Sequence, residues 1–390
     1  MNATLYIAVT GLALVCALPA WADLTNIHIF APQEKHVHGS TIVELPNGDL
    51  LAAWFHGSGE RTANDVVIQG ARLRQGETEW GPVFLMADVP DFPDCNPVLF
   101  IDPEERLWLF WIVVQANRWE HSILKYLRAE DYLGDGPPNW SWQDIILLEP
   151  GDQFPETMEA RFDELGFGEG MWAEYALPYR RMLIEAAQDT RKRQIGWMTR
   201  IHPIVLPTGR ILLPLYSDGF NCGLVAISDD NGATWRTSGP IVGLAPIQPA
   251  LARRNNGEIV AFCRDSGDDP KRILISTSQD DGETWSAAVK SGMPNPGSSV
   301  TVEVLDDGHW VLVHNDTEQG RARLAVSVSD DEGHTWSWMR YLEDSDGSFS
   351  YPSIIQANEG RIHVTYSWRT EAGASIRHAV FDVDWVKSEE

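Results

Sequence analysis

The 390-residue sequence is poor in cysteine and in basic residues, and both shortages exclude classes of protein. Of its four cysteines, the three that follow the N-terminal segment have no metal-type spacing, so no metal site is expected: Cys95, Cys222 and Cys263. An odd number allows either one disulfide with a free thiol or three buried thiols. Lys and Arg total 30 against 56 Asp and Glu, a formal net charge of −26. Because a field of that sign repels nucleic acid and anionic membranes, we expect neither as a partner.

Long hydrophobic segments are scarce, and the one at the N-terminus has the features of an export signal. A mostly apolar run from Leu5 to Leu18 precedes the small-x-small pattern Ala20-Trp21-Ala22. The run is too short for a comfortable membrane span. We therefore predict a signal peptide over residues 1–22 and an exported mature chain, periplasmic or secreted, over residues 23–390.

An eight-residue motif recurs at a spacing of about 50 residues, which indicates a repeat architecture. It reads "SDDNGATW" at 228–235, "SQDDGETW" at 278–285 and "SDDEGHTW" at 329–336, and "RLRQGETEW" at 72–80 is a worn fourth copy. Every residue type in it has a local structural role. The Asp can bond turn amides, the Gly permits a left-handed backbone and the Trp can pack between neighbouring repeats.

Six hairpin-like segments are interleaved with this motif and predict the fold. In each, an apolar run meets a turn and a second apolar run leaves it, from "TIVELPNGDLLAAWF" to "PSIIQANEGRIHVTYSW". Counting a third strand that ends in the octet and a fourth after it, the pattern predicts an all-β, six-bladed β-propeller of four-stranded antiparallel blades. The segment "TNIHIFA" (25–31) can supply the missing strand of the last blade.

One stretch interrupts the repeat. Hairpins two and three lie about 100 residues apart, and the excess, residues 152–197, has helical patterning, with Pro155 and Pro178 suited to first turns. We predict a helical insertion between blades two and three, which is either a lid over one face or a packing extension.

The position of each strand within its blade predicts where the candidate functional residues lie. The octets follow third strands, so they lie on the face of the hairpin turns, and a ligand site is expected around the axis on the other face. That site should be built from residues just before each first strand and just after each second strand. These positions are nearly all polar, as a site for a polar ligand requires. The candidates they give are His38, Asn96, Arg200, His202, Gln248 and Tyr351, and His56, Asp218, Arg264, His314 and Arg369.

The octet is the Asp box, and the chain resembles the sialidase superfamily over essentially the whole mature sequence. The resemblance implies that Tyr351, in "FSYPSII", is a nucleophile, that Arg264, in "AFCRD", binds a substrate carboxylate, and that Asp65 is the acid/base residue. The sequence departs from that family's pattern at three places. His38 stands where the first carboxylate-binding Arg belongs, Gln248 where a Glu activates the tyrosine, and His314 where a third Arg is expected.

The residues around the axis, with these three replacements, suggest further chemistry. His38 and His202 have side chains suited to acid/base catalysis near neutral pH. Arg200 and Arg264 could bind a uronate or a sulfate. Some propeller-fold polysaccharide lyases are similar in using a His, Tyr and Arg set on an acidic glycan.

Three functions follow from these residues. The first is hydrolysis of a terminal, acidic sugar from a glycan, without a cofactor. The second is β-elimination by a polysaccharide lyase, and the third is glycan binding without catalysis. A glycan is the expected partner in each case.

Overall fold

The computed structural model describes residues 24–166 and 177–388, and within them six antiparallel sheets form the blades of a propeller. Blade 1 contains β2 His36–Glu44, β3 Leu50–Gly57, β4 Val67–Leu73 and β5 Phe84–Ala87. Blade 2 contains β6 Asp94–Ile101, β7 Leu107–Val114, β8 Ser122–Ala129 and β9 Trp142–Ile145. Blade 3 contains β10 Met198–Thr199 and β11 Ile204–Val205, which both pair with β12 Ile211–Ser217, then β13 Cys222–Ser228 and β14 Arg236–Thr237.

The second half of the chain continues the pattern and closes the ring. Blade 4 contains β15 Pro246–Arg253, β16 Ile259–Asp265, β17 Arg272–Ser278 and β18 Val289–Pro294. Blade 5 contains β19 Thr301–Val304, β20 Trp310–Asn315, β21 Arg323–Ser329 and β22 Trp338–Asp344. Blade 6 contains β23 Ser348–Gln356, β24 Ile362–Thr370, β25 Gly373–Phe381 and β1 Thr25–His28. The predicted six-bladed fold and its closure by the N-terminal strand are both confirmed, since β1 pairs antiparallel with β25.

Packing between blades explains why the hairpin strands are apolar on both faces. Every residue of β7 is buried, and the largest fully buried side chains include Trp54, Trp108 and Trp310. Strands covered on both faces have no solvent side and need no polar alternation. The predicted thiols lie in this core: Cys95, Cys222 and Cys263 are all buried and free.

The three octets form the same hydrogen-bonded turn. In the first, the Ser228 hydroxyl accepts from the Gly232 amide at 2.8 Å, and the Asp230 carboxylate accepts from the Thr234 amide at 2.8 Å and its hydroxyl at 2.6 Å. Gly232 has φ +80°, and a Cβ there would come within 2.7 Å of the Trp108 ring in the adjacent blade. Ser228 pairs across the sheet with Ile211, at the hairpin-turn end of β12, so this octet lies on the face predicted for it.

The predicted insertion is helical and packs against blade 3. It comprises α1 Gln153–Leu165, α2 Leu177–Gln188 and α3 Thr190–Arg193, and a last short helix, α4 Val383–Lys387, follows blade 6. Phe154 of α1 meets Phe220 with ring centroids 5.3 Å apart, and Tyr179 of α2 hydrogen-bonds Asn221. Both partners lie in the loop between β12 and β13. No helix in the described ranges is long and apolar enough to cross a membrane, and the predicted signal peptide falls outside those ranges.

Candidate active site

The first strands of four blades carry the same irregularity at the same position. The register shifts lie between His38 and Thr41, Cys95 and Val98, Ile247 and Ala250, and Ser350 and Ser353. At each shift one residue has a left-handed backbone: Gly39 (φ 64°), Asn96 (54°), Gln248 (54°) and Tyr351 (56°). A bulge re-aims its side chain, and left-handed non-glycine residues are costly enough to mark functional positions.

These bulges surround a cavity of about 340 Å³ on the face away from the octets. A volume of that size lies at the lower end of the range for small-molecule sites. The cavity is lined by His38, Phe55, Glu60, Asn96, Trp119, Tyr216, Asp218, Ile247, Gln248, Arg264, Ser266, Arg321 and Tyr351. The structure thus brings together six of the residues predicted from the sequence: His38, Asn96, Asp218, Gln248, Arg264 and Tyr351.

The Tyr351 hydroxyl receives hydrogen bonds from the cavity wall. Arg264 donates through Nη1 at 2.7 Å and Gln248 through Nε2 at 3.5 Å. Burial raises the pKa of Tyr351, but the positive charges of Arg264 and Arg321 and the Gln248 hydrogen bond outweigh it. The pKa of this phenol therefore lies below its ordinary value.

Two cations and an imidazole lie against the Tyr351 ring. The guanidinium carbons of Arg200 and Arg321 are 5.0 and 5.3 Å from the ring centroid, and the His38 ring centroid is 4.0 Å away. Burial first, and then the charges of Arg321, His36 and Arg200, hold the pKa of His38 well below its usual range. His38 is therefore a neutral imidazole at neutral pH.

Arg200 is buried behind the cavity rather than lining it. Its guanidinium donates to the main-chain carbonyls of Ser40, Tyr351 and Pro352. None of the ion pairs within residues 24–166 and 177–388 includes it. Burial lowers the pKa of Arg200 to about 10, so it remains a cation at neutral pH.

A second tyrosine lies on the other side of Gln248. The Tyr216 hydroxyl accepts from Asn96 Nδ2 at 3.1 Å, and Asn96 is held in turn by the Thr199 hydroxyl on its carbonyl. Burial, and then the negative charge of Asp218, raises the pKa of Tyr216. The two cavity tyrosines are thus shifted in opposite directions, which is the pattern of an acid and a base in one site.

Two carboxylates line the cavity. Glu60 Oε1 lies 3.3 Å from His36 Nε2, and although burial raises the pKa of Glu60, the hydrogen bond and charge of His36 bring it below the ordinary value. For Asp218, burial raises the pKa and the charge of Arg264 only partly opposes the effect.

The predicted acid/base residue Asp65 lies at the rim, in the same loop as Glu60, and does not line the cavity. Its carboxylate accepts from the Ser58 hydroxyl at 2.6 Å and from Lys35 at 3.2 Å, and its side chain is 45% exposed. Hydrogen bonds from Ser58, with a smaller contribution from Lys35, lower the pKa of Asp65 to about 2.

Four other predicted residues lie outside the cavity: His56, His314, Arg369 and His202. His56 is near Lys35 and Asp65, and burial lowers its pKa. His314 lies inside blade 5, where its Nε2 is 3.0 Å from the Ser327 hydroxyl and burial lowers its pKa to about 4. Arg369 is exposed near the end of β24.

His202 belongs to the opposite mouth of the propeller axis. It lines a separate cavity of about 650 Å³, formed by the far ends of the first strands of all six blades, and its Nε2 lies 3.5 Å from Glu303. The first strand of blade 3 is split between Thr199 and Ile204, so Arg200 and His202 are directed to different levels of the axis.

Several cavity residues escaped the sequence reasoning. Arg321 comes from the loop after β20, seven positions beyond His314, where the third arginine was sought; it donates to the Gly297 carbonyl at 3.1 Å. Glu60 and Trp119 come from the loops after the second strands of blades 1 and 2. A scan of whole loops for charged and aromatic residues would have found all three.

The insertion lies outside the cavity wall: none of its described residues lines the site. Its contacts with Phe220 and Asn221 instead support the loop that carries Asp218. No cluster of three His, Cys, Asp or Glu that could hold a metal ion occurs in the described part of the chain.

Fold and site together define a six-bladed Asp-box propeller with a polar axial cavity built around a tyrosine and arginines. The profile of the BNR repeat-like domain family matches residues 48–158 and 186–364, well over half of the sequence. The chain belongs to that family. No curated protein matches it by sequence.

Solved structures of sialidases share the fold at low identity. A Hadza microbial sialidase aligns with a TM-score of 0.65 and 14% identity over 90% of this chain, which spans 66% of that enzyme. The leech intramolecular trans-sialidase aligns at 0.68 and 13%, covering 93% of this chain and 71% of its own. The Ruminococcus gnavus intramolecular trans-sialidase aligns at 0.66 and 12%, covering 96% and 100%. At these identities the likeness establishes the fold.

Proposed function

We propose that this protein is an exported glycoside hydrolase that releases a terminal acidic sugar from a glycan. The observation that carries the proposal is a buried tyrosine hydroxyl bonded by Arg264 at 2.7 Å, with Arg321 beside the same ring, in a monosaccharide-sized cavity. The sialidase structures with the same fold support a glycan as the substrate.

Arg264 and Arg321 explain how a protein of net charge −26 can bind an acidic sugar. Their guanidinium groups bring two cations to one wall of the cavity, and guanidinium pairs bind carboxylates through two parallel hydrogen bonds. The remaining wall offers amide and hydroxyl groups to the sugar hydroxyls. Gln248 Oε1 is buried without a hydrogen-bond partner among the described residues and is one acceptor that a sugar hydroxyl would satisfy.

The reaction that fits this arrangement proceeds in two displacements. Tyr351 attacks the anomeric carbon as its phenolate, the glycosidic carbon–oxygen bond breaks, its electron pair leaves with the departing oxygen, and Asp218 gives its proton to that oxygen. Water then gives a proton to Asp218 and attacks the anomeric carbon, which releases the sugar and restores Tyr351. Asp218 suits the proton donor because its raised pKa keeps the acid form available.

Assay of fluorogenic glycosides tests the proposal. The chain should release the fluorophore from an α-sialoside or a β-uronide, and Tyr351→Phe should lower kcat by about a thousandfold or more. Tyr341→Phe is the matched control, since Tyr341 lies on an outer strand with its hydroxyl on Asp316. Full activity in Tyr351→Phe would overturn the proposal.

β-Elimination on a uronate glycan is the second candidate, favoured by the opposite pKa shifts of Tyr351 and Tyr216 on either side of Gln248. Tyr351 would remove the C5 proton and Tyr216 would protonate the leaving oxygen, leaving an unsaturated uronate. Ultraviolet absorbance of that product, with no free saturated sugar, would select this reaction. Saturable glycan binding with neither product would select a binding protein.

Export rests on the N-terminal sequence alone. We propose cleavage after Ala22, and N-terminal sequencing of the mature protein tests this. A mature protein that still carries residues of the apolar run would contradict the proposal.

A further inference from the structure

The Tyr351 hydroxyl lies among hydrogen-bond donors and has no base beside it. Arg264 Nη1 and Gln248 Nε2 both point to it, and the phenol is buried. A neutral phenol must donate its own proton to an acceptor, whereas a phenolate only accepts. No carboxylate among the described residues bonds this oxygen, and an amide such as Gln248 cannot take up a proton.

A second observation concerns the charge behind the ring. Arg200 is 2% exposed, and in the described part of the chain its partners are all main-chain carbonyls and its Nε is unbonded. Buried cations are normally paired, because an isolated charge is costly to remove from water. The Tyr351 ring, 5.0 Å from its guanidinium carbon, is the nearest group able to carry a compensating negative charge.

We infer that Arg200, Arg264 and Arg321 hold Tyr351 as a phenolate, so that this site needs no carboxylate base to activate its nucleophile. Arg264 and Arg321 contact the oxygen or the ring from the cavity side. Arg200 acts only through Tyr351, from the buried side, and is a positioning residue. This inference rests on the proposed role of Tyr351 as nucleophile.

The other charged groups around Tyr351 do not cancel this field. Glu60 opposes it, but Glu60 is itself bonded to His36 and faces Arg321. His38 is neutral, since burial and the neighbouring cations lower its pKa. Tyr216 keeps its proton because burial raises its pKa. The charge of Asp218 interacts mainly with Arg264. Three cations therefore face one weakly compensated phenol, in line with its lowered pKa.

The chemical consequence is a nucleophile that is already charged when substrate binds. The phenolate oxygen forms the bond to the anomeric carbon, and the electron pair of the broken bond leaves with the departing oxygen, which takes its proton from Asp218. No proton leaves Tyr351 during the attack, so Gln248 is compatible with catalysis at the place where a carboxylate would otherwise be required.

Ultraviolet difference titration of the intact protein tests the inference without any substrate. Phenolate absorbance is followed against pH in the wild type and in Tyr351→Phe, and the difference between the two isolates Tyr351. Tyr351 should already contribute phenolate absorbance at the pH of activity and lose it only on further acidification. Arg200→Met should raise the pKa of Tyr351 by about one unit, because a buried cation near the ring is removed. Arg200→Lys, which keeps the charge, should raise it less.

Arg321→Met guards against failure of Arg200→Met to fold, because Arg321 comes from a loop and should produce a shift in the same direction. A wild-type Tyr351 that is still protonated at the pH of activity would overturn the inference. An unchanged Tyr351 titration in a folded Arg200→Met would also overturn it. If only Arg321→Met folds, an unchanged titration in that variant would do the same.

The titration separates this inference from the proposed function. A low pKa of Tyr351 without turnover of any acidic glycoside would refute the hydrolase proposal but support the phenolate inference. Turnover that depends on Tyr351, together with an ordinary pKa of that residue, would support the hydrolase proposal and refute the phenolate inference.

Discussion

Three carboxyl groups near the cavity differ because their partners differ. Asp65 is fixed by Ser58 and Lys35 at the rim, and Glu60 is paired with His36. Asp218 has no such partner within residues 24–166 and 177–388, and burial raises its pKa. Of the three, only Asp218 both lines the cavity and favours the protonated form.

Asp218→Asn should therefore lower kcat by about a hundredfold to ten thousandfold on a glycoside with a poor leaving group. With an activated aryl leaving group the loss should be much smaller, because that group departs without protonation. Steady-state kinetics on the matched pair of substrates make the measurement.

Asp65→Asn is the control for that experiment. It removes one negative charge from the same mouth of the propeller, but from a group whose pKa of about 2 keeps it ionised. A leaving-group dependence in Asp65→Asn and none in Asp218→Asn would reverse the assignment.

Reasoning from the sequence located the cavity residues at strand ends, including Asp218 directly after β12, and missed those farther along the loops. Tyr351, Gln248, Asn96 and Arg264 follow from blade phase, because strand ends repeat at fixed positions. Arg321 could not be placed this way, since the loop after β20 returns to the axis only after several irregular residues.

The octet turns act as elements of the scaffold. In the third, the Asp331 carboxylate accepts from the Thr335 amide at 2.7 Å and its hydroxyl at 2.7 Å, while the Ser329 hydroxyl donates to it at 2.8 Å. Hydrogen bonds from Thr335 lower the pKa of Asp331 to about 2. The acidic character that makes the motif resemble a site is used within the turn.

Asp331→Ala should lower the free energy of unfolding by about 1–3 kcal/mol, because the donors of Thr335 lose their acceptor. Chemical denaturation measures the change, and kcat should be unaltered. Asp330→Ala is the matched control: Asp330 is the adjacent, exposed residue and has no side-chain partner among the described residues. Equal destabilisation by the two changes would refute the role of the turn.

Hairpins and octets were predictable because their signals, continuous apolar runs and turn residues, are local. The four bulges were not. Their left-handed residues are Gly39, Asn96, Gln248 and Tyr351, and two of the four, Gln248 and Tyr351, are residue types that give no sign of that backbone in sequence. The bulges depend on how neighbouring first strands crowd the axis, which is a property of the assembled ring.

At the scale of the whole molecule, a chain of neutral groups joins the last blade to the first. Trp80 Nε1 donates to His378 Nδ1 at 3.3 Å, and His378 Nε2 lies 3.0 Å from His363 Nδ1. His363 Nε2 faces Glu359 at 3.5 Å. Burial lowers the pKa of His363 to about 4 and that of His378 well below its usual range.

This pair should make the fold sensitive to acid. The unfolded chain takes up protons near pH 6.5, while the folded histidines do not, so stability is complete above that pH and falls as the pH drops toward 4. Lowering the pH from about 6.5 to about 5 should cost about 1.5 kcal/mol through His363, and His378 should add a loss in the same direction. Denaturant midpoints at the two pH values test this.

His363→Gln should reduce the loss, since one titrating group is gone, and His334→Gln, at an exposed position in the third octet, should not. An unchanged pH dependence in His363→Gln would show that other groups cause the acid sensitivity.

The pairing of β1 with β25 has a consequence for synthesis. The first strand to be made must wait for nearly the whole chain before its partner, Gly373–Phe381, exists. Contacts of such long sequence separation form slowly, and an unfinished ring leaves sheet edges open to pairing with another chain. The interval between the first strand and the last is therefore when this protein is most exposed to aggregation.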